Sequence, residues 1–418
     1  MRKKFITVLS GTAVAQLCGF LALPVFTRLF DTEAFGIAQI YQTTLTVLLC
    51  FAAMRYEYAI LTASSGKELI TILHICIFVN IAVTLVVILG CFIVSLYVEN
   101  FKSLIQIMLW YLPLGVLFGG ILQSLGNLLI REKDFITIAS SKIMQSSGYV
   151  LSGFGIGYAF ANPIGLIIAD NISKLIAILP IFKQHYKSYK LFSGALSSEK
   201  LLKTAYKFRK FPLIAMPGGL INLAGGGITT FFLMGIFNIS TVGQYALAER
   251  ALMLPVAMIG NAMAQIFTAD LSEKLRDNKI EEVIRLFFYI IKKIFIIGIL
   301  PTILIVFFSP FIFVNIFGEQ WTMAGELARV LAPLALISLM VTPVNMMIVL
   351  IDKQKIQLYW EIFRLITVVM MWSLIYTLKF SLYKAIFLYV TNGILVYSIF
   401  LILIYISLKL NKVKPPSN

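Results

Sequence analysis

The sequence predicts an all-α integral membrane protein with about twelve transmembrane helices, arranged as two six-helix bundles. Three observations support this prediction: an apolar composition, many long apolar segments, and a weak internal repeat. Of the 418 residues, 60% are hydrophobic and 13% are charged, and the mean hydropathy is +0.92. Soluble globular proteins carry about 25% charged residues. The chain therefore has the composition of a protein that is solvated by lipid.

A spanning helix needs about 20 mostly apolar residues. Long continuous apolar runs favour helices, because the strands of a membrane barrel alternate in polarity. The first run follows the basic MRKK and continues to Phe30, which is too long for a cleaved signal peptide. The predicted spans are 6–30, 35–53, 69–96, 104–129, 138–160, 163–183, 211–236, 243–267, 284–310, 326–351, 355–378 and 382–408.

The distribution of basic residues predicts the orientation of these spans. The formal net charge is +16, and Lys and Arg are concentrated in alternate connecting segments. An excess of Lys and Arg marks the cytoplasmic side, so we predict that both termini are cytoplasmic. The longest basic segment, 184–210, has two interpretations: an amphipathic segment on anionic lipid headgroups, or a simple positive-inside anchor.

A single ungapped shift of the chain aligns its two halves. LFDTEAFG at 29–36 then falls on IFNISTVG at 236–243, so that Asp31 matches Asn238 and Gly36 matches Gly243. Six helices in each half make the two copies parallel, related by an axis along the membrane normal. Such repeats occur in transporters, with the substrate path between the halves. We predict an N-terminal bundle over 1–195 and a C-terminal bundle over 196–418.

Several enzyme and cofactor motifs are missing from the sequence. There is no GxxxxGK[ST] or HExxH, and the only histidines are His74 and His185. The four cysteines all lie in apolar segments without CxxC spacing, which predicts buried thiols rather than a disulfide or a metal site. GFGIG at 153–157 lies inside an apolar helix with no preceding strand, which favours close helix packing over nucleotide binding. The sequence predicts transport without catalysis, cofactor or metal.

Ionisable residues inside the predicted spans are candidate functional residues. Asp170 and Lys174 are four apart and share a helix face, so they can neutralise each other. Glu249 and Arg250 are adjacent and point about 100° apart. Each of these two therefore needs a partner on another helix or a water-filled space, and Arg250 is our first candidate for contact with substrate.

Two further charged pairs, Glu326 with Arg329 and Glu361 with Arg364, have a spacing of three residues. Buried Arg and Lys outnumber unpaired acids, and a guanidinium group binds phosphate oxygens in bidentate fashion. This balance favours an anionic substrate. The predicted substrate-binding residues of the cavity are Arg28, Lys142, Asp170, Lys174, Glu249, Arg250, Arg329 and Arg364.

Six stretches of the chain resemble one family. They are TRLFDTEAFGIAQIYQT at 27–43, RYEYAIL at 55–61, REKDF at 131–135, KFRKFPL at 207–213, GQYALAERALMLPVAMIGNAMAQIF at 243–267 and FGEQWTMAGELARVLAP at 317–333. The chain resembles the Wzx-type polysaccharide and O-antigen flippases of the multidrug/oligosaccharidyl-lipid/polysaccharide (MOP) superfamily. The resemblance implies two six-helix bundles in a V shape, a multi-pass protein of the bacterial inner membrane, and transport by alternating access.

The implied substrate is an oligosaccharide repeat unit linked to undecaprenyl diphosphate, flipped to the outer leaflet for O-antigen, capsule or exopolysaccharide synthesis. The implied partners are this lipid-linked oligosaccharide, membrane lipids, a polysaccharide polymerase and a chain-length regulator, with no nucleic acid. Two alternatives within the superfamily are a peptidoglycan-precursor flippase and an ion-coupled drug antiporter. A membrane glycosyltransferase or polymerase would need a long outer loop with acidic residues, and a membrane scaffold would not explain charges inside the spans.

Overall fold

The computed structural model describes residues 2–64, 66–97, 104–160, 164–185, 197–277, 279–351 and 353–411. Within these ranges the chain forms fourteen α-helices and no strand. Two are short, α3 (Ala59–Thr62) and α8 (Ser198–Lys207). The long helices are α1 (Arg2–Leu29), α2 (Thr32–Ala52), α4 (Gly66–Tyr97), α5 (Leu104–Glu132), α6 (Phe135–Phe160), α7 (Ile164–His185), α9 (Met216–Ile236), α10 (Ile239–Arg276), α11 (Ile280–Phe317), α12 (Thr322–Leu350), α13 (Gln354–Leu378) and α14 (Leu382–Asn411).

Each of the twelve predicted spans coincides with one long helix. Ten of the twelve are long and apolar enough to cross a membrane by length and composition alone. The other two are α6, which is rich in Ser and Gly, and α10, which carries Glu249 and Arg250. The prediction of an all-α, multi-pass membrane protein is therefore confirmed, while the orientation of its termini stays a prediction.

The chain folds as two compact units, Met1–Thr230 and Phe231–Asn418. In unit 1, α6 packs against α1 and α7, and α5 packs against α2, α4 and α7. In unit 2, α12 packs against α10, α11 and α14, and α13 packs against α14. The division between the units falls inside α9, whereas the predicted domain boundary after residue 195 stays a prediction.

The predicted repeat is present in the local structure of the two units. In the register that places Asp31 on Asn238, α1 and α9 end at matching positions, and α2 and α10 begin at matching positions. The caps match as well: the Asp31 carboxylate accepts a hydrogen bond from the Ala34 amide at 2.8 Å, and Asn238 Oδ1 accepts one from the Thr241 amide at 2.7 Å. A side-chain oxygen that accepts from the third following amide is the usual N-cap.

The repeat continues in the second half of each unit with a longer shift. Helices α5 and α12 are both 29 residues long, and each is the fourth helix in a set of six consecutive long helices. The Ser141 hydroxyl donates to the Ala177 carbonyl at 2.7 Å, and the Trp360 indole N–H donates to the Val396 carbonyl at 2.9 Å. One shift carries Ser141 onto Trp360 and Ala177 onto Val396, so the same interhelical bond recurs with a different side chain.

The glycines of GFGIG allow close helix packing in unit 1, as predicted. A Cβ atom on Gly153 would lie 2.9 Å from the ring of Phe26, and one on Gly157 would lie 2.8 Å from the ring of Phe30. Both distances are too short for a real carbon contact. These two glycines of α6 are therefore required for its contact with α1.

Candidate functional site

Helix α2 ends in a backbone break that places charged side chains inside unit 1. After Ala52, Met54 and Arg55 adopt left-handed conformations with φ of 46° and 62°, and a single 3₁₀ turn, Tyr56–Tyr58, leads into α3. Left-handed backbone is unfavourable for residues other than glycine and costs about 1–2 kcal/mol for each. Strain of this kind persists where the surrounding structure holds it, commonly at functional sites.

The break brings together Arg55, Glu57 and Gln123, which we name the junction cluster. The side chains of Arg55 and Glu57 are 12% and 1% exposed, and Arg55 Nη1 lies 3.7 Å from Glu57 Oε1. Gln123 Nε2 of α5 donates to the same Glu57 oxygen at 3.2 Å. Arg55 Nη1 also donates to the Tyr58 hydroxyl at 2.9 Å. The cluster therefore holds a mostly buried guanidinium group beside a buried carboxylate.

Polar capacity in the junction cluster is only partly used. Among the described residues, Arg55 Nε, Glu57 Oε2 and Gln123 Oε1 are buried and have no hydrogen-bond partner. Burial raises the pKa of the Glu57 carboxyl, while a hydrogen bond from its own backbone and the charge of Arg55 oppose the rise. Unsatisfied buried polar groups are costly, and three in one place are what a binding site for a polar ligand would leave open.

A second arginine holds the chain that follows the junction cluster. Arg131, at the end of α5, donates from Nη1 to the Ile60 carbonyl and from Nη2 to the Ala63 carbonyl, both at 2.6 Å. These carbonyls lie at the end of α3, where the helix leaves its last carbonyls without intrahelical donors. Arg131 therefore fixes α3, and with it the position of the junction cluster, relative to α5.

The guanidinium group of Arg55 also contacts helix α9, at Gly219. A Cβ atom on Gly219 would lie 2.5 Å from Arg55 Nη2 and 3.1 Å from Arg55 Nε. The guanidinium group thus packs directly on the backbone of α9, and only glycine leaves room for it in this position.

The predicted pair of Asp170 and Lys174 is present in α7. The two side chains form an ion pair and are 12% and 8% exposed. A neighbouring residue extends the polar cluster, because Asn171 Nδ2 donates to the Tyr41 hydroxyl of α2 at 2.8 Å. Asp170 and Lys174 are thus held inside unit 1 and satisfy each other, and contact with substrate stays a prediction.

The expected partner of Glu249 was wrong. We expected a partner on another helix or in water, but Glu249 Oε1 accepts a hydrogen bond at 3.1 Å from the hydroxyl of Tyr245, one turn earlier in α10. The Tyr245 hydroxyl also interacts with Tyr389 of α14. Sequence spacing contained this signal, since residues four apart share a helix face. Arg250 is partly buried in the next position.

Residues of both pairs at spacing three contact aromatic or amide side chains. Glu326 accepts a hydrogen bond from Tyr383 of α14, and Arg329 is exposed on α12. Arg364 lies over the ring of Trp360, with 5.2 Å between the guanidinium carbon and the ring centroid. Glu361 is buried and accepts from Gln357 Nε2 at 3.3 Å.

The two remaining predicted residues lie at the surface of unit 1. Arg28, in the last turn of α1, is exposed, and its charge suits the C-terminal end of the helix dipole. Lys142 of α6 is exposed and its amino group donates to the Thr12 hydroxyl of α1 at 3.1 Å. The structure pairs Asp170 with Lys174, and it gives Lys142 and Glu249 hydrogen-bond partners outside the predicted set.

The sequence did not indicate the junction cluster, because only ionisable residues inside the predicted spans are candidate functional residues by their position. Arg55 and Glu57 lie in the predicted connection 54–68 and belong to RYEYAIL, one of the stretches that carries the family resemblance. Three of those stretches meet in unit 1, since Arg131 of REKDF binds Ile60 of RYEYAIL, and Phe208 of KFRKFPL packs on the same apolar cluster as Ile60. This convergence could not be derived from spacing along the chain.

Several solved structures match over nearly the whole length of both chains. An inward-facing multidrug resistance MATE family transporter of the MOP superfamily matches at a TM-score of 0.66 with 15% identity, covering 100% of this chain and 96% of that chain. A MATE protein in complex with MaL6 matches at 0.64 with 15% identity, covering 98% and 96%. A MOP superfamily transporter from Pyrococcus furiosus matches at 0.62 with 14% identity, covering 98% and 95%. At such low identity these matches show the fold alone.

The fold defines the class: the chain is a multi-pass membrane protein with the fold of MOP superfamily transporters. No curated protein matches the sequence. The family model described as "Polysaccharide biosynthesis protein" matches residues 25–326. The chain therefore belongs to the polysaccharide biosynthesis protein family.

Proposed function

We propose that the chain is a flippase for undecaprenyl-diphosphate-linked oligosaccharide repeat units. It moves them from the cytoplasmic to the outer leaflet of the bacterial inner membrane by alternating access, for O-antigen, capsule or exopolysaccharide synthesis. Membership of the polysaccharide biosynthesis protein family and the fold of MOP superfamily transporters support this proposal. The lipid-linked repeat would then pass to a polysaccharide polymerase and its chain-length regulator.

The observation that carries the proposal is the burial of the Arg55 guanidinium group with part of its hydrogen-bonding capacity unused. The side chain is 12% exposed, held by strained backbone, and its Nε has no hydrogen-bond partner among the described residues. Arginine suits a diphosphate because its planar fork donates two parallel hydrogen bonds to phosphate oxygens. Glu57 neutralises this charge in the absence of cargo, at a distance of 3.7 Å. The predicted orientation puts the junction cluster at the cytoplasmic end of unit 1, where the cargo is made.

The cargo has three parts that need different surroundings. The sugars are too polar for hydrocarbon, so they cross in a hydrated space, and the polyprenyl tail stays in the bilayer. The diphosphate is held by cationic side chains along the path, with Arg55 first and then the predicted cavity residues, of which Arg250 and Arg364 are the leading candidates. Rocking of one repeat against the other changes the open side, as in other transporters built from repeats.

Complementation tests this proposal in the native host. Disruption of the gene should abolish the surface polysaccharide and leave lipid-linked repeat units on the cytoplasmic side, and the wild-type chain should restore it. Arg55→Ala should fail to restore it at normal protein level, and Arg55→Lys should restore it in part, since lysine keeps the charge without the bidentate fork. Lys292→Ala is the matched control: Lys292 is an exposed cationic residue of α11 and should be dispensable.

Different results point to the alternatives. Loss of cell-wall precursor at the outer leaflet after disruption, with normal surface polysaccharide, would indicate a peptidoglycan-precursor flippase. Altered drug resistance alone would indicate a drug antiporter. Normal polysaccharide from Arg55→Ala would remove the junction cluster from the mechanism. Normal polysaccharide from both Arg250→Ala and Arg364→Ala would remove the predicted cavity residues from it.

A further inference from the structure

Helix α8 and the residues up to Lys210 form an amphipathic surface of unit 1. One face of this segment packs on the protein, because Leu201, Ala205 and Phe208 contact the apolar cluster beneath the junction. A second face stays exposed and apolar: Leu202 and Tyr206, one turn apart, are 72% and 66% exposed. Packing within unit 1 therefore leaves an apolar stripe of this helix uncovered.

Basic residues border the exposed stripe. Residues 198–210 contain several Lys and Arg side chains but a single acidic one, Glu199. Lys203 pairs with Glu199 at 2.5 Å, and Lys207 pairs with Glu68 of α4. The side chains that remain exposed without an ion pair to a described residue are Lys200, Arg209 and Lys210. The segment thus carries a surplus of positive charge next to apolar surface.

Helix α8 is also fastened to the chain around the junction cluster. The Tyr56 hydroxyl, next to Arg55 in sequence, donates to the Ala205 carbonyl at 3.2 Å. Glu68, which pairs with Lys207, accepts from the Ser64 amide at 2.6 Å and so holds the start of α4. Helix α8 is therefore bonded to the chain at Tyr56 and at Glu68. Its position affects both ends of the segment that contains Glu57.

We propose that α8, with Arg209 and Lys210, docks on anionic phospholipid headgroups at the membrane surface and thereby holds the junction segment in place. Charge complementarity and position select this occupant. A basic segment directly before a spanning helix attracts anionic lipid, and the first apolar residue of the span that contains α9 is Phe211. Exposed Leu and Tyr between lysines suit the boundary between headgroups and acyl chains. This inference concerns the surrounding lipid and holds whether or not the cargo is the one proposed above.

Hydrogen–deuterium exchange of the full-length protein tests the proposal in lipid nanodiscs without cargo. We expect the amides of α8 to exchange about tenfold more slowly in phosphatidylcholine discs that contain about 30% phosphatidylglycerol than in phosphatidylcholine alone. The attraction of one basic residue to an anionic surface has about the free energy that corresponds to a tenfold change in exchange rate. The difference should disappear in about 0.5 M NaCl, because the Debye length falls to a few ångströms.

Variants separate docking from a general lipid effect. Lys200→Glu with Lys210→Glu should abolish the difference at α8, while the exchange of α5 stays unchanged and shows that the variant is folded. Lys384→Glu, at an exposed lysine of α14, is the control and should keep the difference at α8.

Three results would overturn the proposal. The first is equal exchange of α8 in the two lipids, and the second is a difference that persists in high salt. The third is that inorganic phosphate or polyglutamate, added to pure phosphatidylcholine discs, protects α8 as much as phosphatidylglycerol does. That result would make α8 a site for a free anion or an acidic protein. Because no cargo is present, failure of this test leaves the proposed transport function standing, and loss of transport in Arg55 variants leaves this proposal standing.

Discussion

Replacement of Gly219 by alanine should move the guanidinium group of Arg55 without disturbing the fold. The added Cβ would lie 2.5 Å from Arg55 Nη2, and a relaxed contact needs about 3.5 Å, so the guanidinium must retreat by about 1 Å. The atom that must move is the end of a flexible side chain, so the displacement is achieved without backbone change. Its hydrogen bond to the Tyr58 hydroxyl, now 2.9 Å, would be stretched or broken.

The size of the effect follows from that bond and from the helix. A hydrogen bond to a charged group contributes about 1.5–3 kcal/mol, and alanine is favoured over glycine in a helix by about 1 kcal/mol. Net stability of Gly219→Ala should therefore change by no more than about 2 kcal/mol. If Arg55 binds the diphosphate, its misplacement should weaken binding of undecaprenyl diphosphate by about tenfold, which corresponds to about 1.4 kcal/mol.

Gly218→Ala is the matched control, because a Cβ atom at Gly218 meets nothing within 4 Å. It receives the same gain in helix propensity and should leave Arg55 in place. The assays are thermal unfolding of the purified protein and titration with undecaprenyl diphosphate in detergent. Equal affinity of the two variants would refute the reasoning that the position of Arg55, set by α9, decides binding.

Three further changes test the structure around the same site and the repeat. Arg131→Ala removes two hydrogen bonds from a charged donor and should destabilise the protein by about 3 kcal/mol, with partial rescue by lysine; an unchanged unfolding midpoint would contradict the role assigned to it. Burial raises the folded pKa of Glu57 above 4.5, so the folded chain binds this proton more tightly and stability falls as the pH rises from 4.5 through the raised value; Glu57→Gln should flatten that part of the pH profile of thermal unfolding, and an identical profile would count against it. Asp31→Ala and Asn238→Ala remove equivalent N-caps and should each cost about 1 kcal/mol in thermal unfolding; a cost at only one of them would mean that the caps are not equivalent.

Most of the fold could be predicted from the sequence, because hydrocarbon imposes a length and a composition on each helix. The predicted span 35–53 and helix α2, which ends at Ala52, agree within a few residues for this reason. The weak match of Asp31 with Asn238 also proved structural, since both cap a helix with the same bond. Local requirements of this kind leave a readable trace in the sequence even where overall identity between the repeats is low.

The candidate site could be predicted only where the partners lie on one helix. The pair of Asp170 and Lys174 followed from a spacing of four, and the bond between Tyr245 and Glu249 has the same spacing, although we expected Glu249 to find a partner on another helix or in water. By contrast, Glu57 meets Gln123 from a helix 66 positions away. Spacing along the chain carries no information about such a contact, and a loop with charged residues is usually solvated. The buried charge of the junction cluster was therefore invisible without the fold.

The repeat itself indicates that the junction cluster is a specialised feature of unit 1. In the register that places Asp31 on Asn238, the break at 53–55 corresponds to 260–262, and α10 passes through these positions as continuous helix, from Ile239 to Arg276. If the break were needed to fold a six-helix repeat, both copies would have it. Of these corresponding described positions, those in unit 1 carry the left-handed residues Met54 and Arg55 and lead to the buried Glu57, while those in unit 2 are helical. A cost that one repeat accepts and the other avoids is best explained by a function located there, and the Gly219→Ala and Arg55→Ala experiments address it directly.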